Sequence, residues 1–124
     1  MKTAKIKLND TEYTLCFSLR VARNCTEHFG GLKEMQEEMR SENTTKMLDT
    51  VVWVLAEMLD AGARYDRKCG NNAPEPLTMD DLYDTVDIGE LANLKGKIYE
   101  TLTNGQTADI KVQPEKNEET NPAN

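Results

Sequence analysis

Two cysteines, a glutamate and the only histidine of the chain fall together in "CFSLRVARNCTEHFGGL", residues 16–32. Cys25 and His28 stand three apart, the spacing that brings two side chains together across a helical turn. Such a pair is a candidate thiolate–imidazole nucleophile, or half of a zinc site. The surrounding pattern favours a plainer reading. Cys25 lies inside an apolar helical arc, where cysteine behaves as a small hydrophobe. His28 lies at the edge of that arc in the last helical turn, where the helix dipole favours an imidazolium without any catalytic role. Cys16 alternates with Tyr13 and Leu15 and is expected on the opposite strand face, away from the core. No CxxC or HxxxH supplies the paired ligand spacing of a zinc site. The acidic run "MDDLYDTVDIGE" spaces Asp81, Asp84 and Asp87 by three, a helix-surface spacing. A calcium loop needs carboxylates at alternate positions. Lys95-Gly96-Lys97 lacks the preceding glycine-rich loop of a phosphate cradle. The expectation is a non-enzymatic chain with no catalytic residue, metal or cofactor.

Binding residues are easier to nominate. Trp53 falls beside Asp49, Glu57 and Asp60, off the main apolar stripe of its helix, and an exposed tryptophan often anchors an interface. The competing expectation is that the hairpin or another helix covers it. Methionines line adaptable grooves as well as cores. The partner-binding candidates are therefore Trp53, Glu57, Met35 and Met39, with core filling as the alternative for the methionines.

The elements that must position these residues follow from periodicity. Residues 3–17 alternate as a β-hairpin, with Ile6 and Leu8 against Tyr13, Leu15 and Phe17. Asn9-Asp10 makes a two-residue turn, since both residues tolerate the left-handed conformation. The register pairs Leu8 with Thr11, Ile6 with Tyr13, Ala4 with Leu15 and Lys7 with Glu12, and a one-residue slip would ruin both faces. Ser18 caps a helix from Leu19, whose arc holds Leu19, Val21, Ala22, Cys25, Thr26 and Phe29, and Gly30-Gly31 ends it. A short helix over 31–40 carries Leu32, Met35 and Met39. Residues 44–66 have a stripe of Met47, Val51, Val54, Leu55, Met58 and Gly62, widened by Leu48, Val52 and Leu59, as in the central helix of a bundle. A loop over 68–77 leads to a capped helix at Thr78, carrying Leu82 and Val86. Asp87–Glu90 reads as a second capping box before a last helix over 88–103, which buries Ile88, Leu91, Leu94, Ile98 and Leu102, with Gly105 as its stop.

The fold class is mainly α (α+β): one domain over 1–104, with hairpin 3–17 and a bundle of four to five helices over 18–104. An acidic tail, 105–124, is expected to be disordered. The chain has 124 residues, 38% hydrophobic content and a formal charge of −7, with a pI near 4.7. This charge opposes nucleic acid and anionic membranes and suits a basic partner. The absence of a signal-like or membrane-spanning apolar run, with three widely spaced cysteines, predicts a cytoplasmic protein with reduced thiols.

The order of these segments resembles the tail assembly chaperones encoded in phage and prophage tail operons. The resemblance covers residues 4–103. It is carried by "IKLNDTEYTLCFSLRVARNCTEHFGGL", then "VLAEMLDAGARYDRKCG", then "PLTMDDLYDTVDIGEL" and a last helix. It implies a chaperone that coats the long, helical tape measure protein and keeps it soluble while tail tube subunits polymerise, and that is absent from the virion. In many members a frameshift adds a domain that recruits the tube protein. A homo-oligomer is a further expectation. The alternative class is another small interaction protein of a mobile element, such as a head–tail adaptor or an anti-repressor.

Overall fold

The computed structural model describes residues 1–107. Strands β1 (Thr3–Leu8) and β2 (Thr11–Cys16) form an antiparallel hairpin. Five helices follow: α1 (Leu19–Phe29), α2 (Leu32–Met39), α3 (Thr44–Lys68), α4 (Met79–Thr85) and, after a single 3₁₀ turn at Ile88–Glu90, α5 (Leu91–Gln106). The hairpin register is the one the alternation requires, with Leu8 opposite Thr11, Ile6 opposite Tyr13, Ala4 opposite Leu15 and Lys7 opposite Glu12. Asn9 and Asp10 both take positive φ, 50° and 67°. This geometry matches the right-handed twist of the strands they join.

Each helix boundary has a local cause. The Ser18 hydroxyl accepts from the Val21 amide at 3.3 Å, satisfying one of the amides that a helix start leaves unpaired. Gly30 closes α1 at φ 93°, and its N–H donates to the Thr26 carbonyl at 2.8 Å. Asn43 caps α3 by accepting from Lys46. Thr78 and Asp81 exchange reciprocal bonds at 3.1 and 3.0 Å, a complete capping box.

Helix α3 is the centre of the bundle and touches β2 and each of the other four helices. Its Val51, Val54, Leu55 and Met58 are fully buried among Ile6, Leu15, Val21, Met35, Met39 and Ile98. Gly62 lets α3 approach the hairpin backbone, because a Cβ there would collide with the Thr14 carbonyl. Gly105 has a similar role in α5: a Cβ would lie 2.7 Å from Phe17 Cβ and 2.9 Å from its carbonyl oxygen.

Several expectations are corrected. Cys16 is fully buried rather than turned outward. The C-terminal turns of α3 reach that side of β2, where the Thr14 hydroxyl donates to Asp66 at 2.6 Å. Leu19 is 92% exposed: it opens α1 on the side away from Val21, which in the same turn is fully buried. Ile88 is 72% exposed: the 3₁₀ turn shifts it out of phase with Leu94, Ile98 and Leu102, which are buried. Asp87 makes no side-chain capping bond. Gly105 does not stop the last helix, which runs on to Gln106, and α3 runs to Lys68. The expected tail over 105–124 thus loses its first residues to α5, and residues 108–124 lie outside the described part. No described helix is long and apolar enough to cross a membrane.

Candidate functional site

Trp53 is half-buried on the side of α3 that faces away from the hairpin. Its indole stacks on the His28 ring, with centroids 4.2 Å apart and planes 15° from parallel. Phe29 meets the indole edge-on at 5.2 Å. Both partners come from the last turn of α1, so the end of α1 forms one wall against Trp53. This contact joins two elements far apart in sequence, and aromatic pairs in such geometry add about 0.5–1.5 kcal/mol beyond simple burial.

Three concavities meet at Trp53. The largest, about 600 Å³, runs between α2, the start of α3 and α4, and includes Glu38, Lys46, Asp49, Met79 and Tyr83. A second of about 310 Å³ opens toward Asn24, Glu27 and Glu57. A third of about 170 Å³ passes Ala56, Asp60 and Pro76 to Met79. Together they form an aromatic-centred cleft with a carboxylate rim.

The rim is held by hydrogen bonds. The Asn24 amide donates to Glu57 at 2.8 Å. The Tyr83 hydroxyl donates to Asp49. Partial burial and that bond push the Tyr83 phenol up to about 12. The Thr50 hydroxyl sits 2.8 Å from the Lys46 carbonyl and 3.1 Å from Glu38. Neutral donors thus orient Asp49 and Glu57, while the single Thr50 proton is shared between the nearer Lys46 carbonyl and Glu38. Among the described residues the ion pairs are Arg23–Glu27, Arg64–Asp60 and Lys97–Glu100, none of which involves Glu38, Asp49 or Glu57.

The nominated residues divide. Trp53 and Glu57 both line the cleft. Met35 and Met39 are fully buried beneath α2, so they fill the core and offer no surface. The clue to the other wall was present as Tyr83 and Met79, but nothing in the local pattern says that α4 packs beside the start of α3. A smaller groove, about 210 Å³, shares Tyr83 and is lined by Leu48, Val52, Leu82, Val86 and the exposed Ile88.

The thiols are separated and differ in environment. Cys25 is buried, and burial followed by the nearby Glu57 charge pushes it up to about 12. Burial and Asp66 push Cys16 up to about 11. Neither supplies thiolate near neutral pH, so neither is an activated nucleophile. Cys69, at the end of α3, is exposed. Among the described residues no group of three His, Cys, Asp or Glu side chains could hold a metal ion. Comparison with protein-family models, curated proteins and solved structures gave no match.

Proposed function

We propose that this chain is a non-enzymatic tail assembly chaperone, which shields amphipathic helical segments of a tape measure protein in the bacterial cytoplasm until tail tube subunits assemble around it. The observation that carries this reading is the Trp53 cleft. It offers an aromatic floor flanked by helices, open along the side of α3, as helix-in-groove recognition requires. The formal charge of −7 supports it, since a coat of acidic modules adds solubility to a client that would otherwise aggregate. The segment order described above supports the family assignment.

The test is co-expression with a tape measure protein, scored by the soluble fraction of that protein. The wild-type chain raises it. Trp53→Ala, folded by circular dichroism, weakens binding about 30-fold, the loss of a central aromatic anchor. No rescue by the wild-type chain sinks the proposal. Full rescue by Trp53→Ala moves the binding surface elsewhere.

A further inference from the structure

We infer that the Trp53 cleft selects a cationic amphipathic helix, with an apolar residue against Trp53 and lysine or arginine side chains about two helical turns apart on either side of it. The inference rests on the helix-binding reading of the same cleft and adds the chemistry of its occupant.

The spacing comes from α3 itself. Asp49, Trp53 and Glu57 are successive i, i+4 neighbours on one side of the helix. At 1.5 Å rise per residue, the two carboxylates bracket the indole over about 12 Å. A partner helix laid along α3 matches this with cations at i and i+7 or i+8 and an apolar residue midway, all on one face.

The charge state explains the sign. Asp49 is oriented by Tyr83 and Glu57 by Asn24, both neutral donors. Their negative charge is therefore fixed in direction and not neutralised by any ion pair among the described residues. Glu38 adds a third carboxylate to the same cleft. Lys46, which also lines it, forms no ion pair among the described residues. Covering these carboxylates with an acidic or purely apolar helix would strip water from them with no compensating charge, which disfavours that occupant. A lysine or arginine replaces the lost water, and gains further where it lies over the indole.

Trp53 is the only tryptophan of the chain, so its emission reports on this cleft alone. The experiment titrates the full chain with three tryptophan-free helical peptides, with calorimetry alongside. The first carries lysines at i and i+7 around a leucine stripe. The second has the same composition, with those lysines moved to the opposite face. The third has glutamates in their place. The first is expected to bind about tenfold more tightly than the second, the worth of two partly exposed charge pairs, and the third most weakly. High salt should compress the ranking. The Asp49→Asn/Glu57→Gln variant keeps acceptors for Tyr83 and Asn24 and should keep the wild-type melting temperature while losing the preference. Equal, salt-independent affinity for the first two peptides overturns the inference and leaves helix binding intact. Absence of binding by all three overturns both.

Discussion

The two sides of α3 are built to different standards. On one side Val51, Val54, Leu55 and Met58 are fully enclosed, and at Gly62 helix and strand meet without room for a methyl group. On the other, Asp49, Trp53, Glu57 and Asp60 look into open clefts, and the three carboxylates are held by single neutral donors or an exposed arginine. The first side spends its residues on close packing, which tolerates little change. The second keeps an aromatic ring half-uncovered. The difference shows that one helix can hold a fold together and present a surface, because a 3.6-residue period separates the two tasks by about half a turn.

The comparison breaks most sharply at Gly62. Gly62→Val forces α3 off β2 at the Thr14 carbonyl. The expected loss is about 3 kcal/mol or more, the upper range for overpacking, read as a large drop in thermal midpoint or as insoluble expression. A wild-type midpoint would mean that this packed side is looser than described.

Alkaline titration sharpens it at intermediate size. Cys16 and Cys25 have folded values raised to about 11 and about 12 from 9.0. Above pH 9 the unfolded chain releases these protons and the folded chain holds them. Their contribution is complete below pH 9 and is lost as pH rises toward 12. Stability measured by denaturant should fall over that window, and Cys25→Ala should flatten the fall. Thiol labelling at neutral pH should reach the exposed Cys69 quickly and the two buried thiols only on unfolding.

The smallest effect is expected at Ile88, which is 72% exposed despite its apolar side chain. Ile88→Asp should change stability by no more than about 0.5 kcal/mol, as exposed substitutions do. A larger loss, or a change in sedimentation, would show that this residue is covered in solution.

The fold was largely legible because its signals are local. Period-two alternation and Asn9-Asp10 fixed the hairpin register, and Ser18, Gly30 and Thr78 marked helix ends by their own hydrogen-bonding chemistry. The errors share a different origin. Alternation puts Cys16 on an open face, because it describes one strand and cannot register that α3 reaches round it. Leu19 fits its arc, yet no element stands opposite it. Ile88 fits a 100° repeat only if the helix begins with it, and a 3₁₀ turn breaks that phase. Gly105 has the composition of a stop but serves close contact with Phe17. Trp53 could be placed beside Asp49 and Glu57 from spacing alone. Its stack on His28 and the wall supplied by Tyr83 could not, because those are contacts between segments whose mutual placement only the packed core decides.

The end of α5 returns to the beginning of the chain, where the Asn104 amide donates to the Thr3 carbonyl at 3.1 Å. Spatially the folded unit is closed into a ring, although its backbone is linear. A short bridge from Gln106 to Met1, with a new opening cut in the exposed loop at Asn71–Asn72, would preserve every contact described above. Such a circular permutant would carry the same architecture in a different reading order.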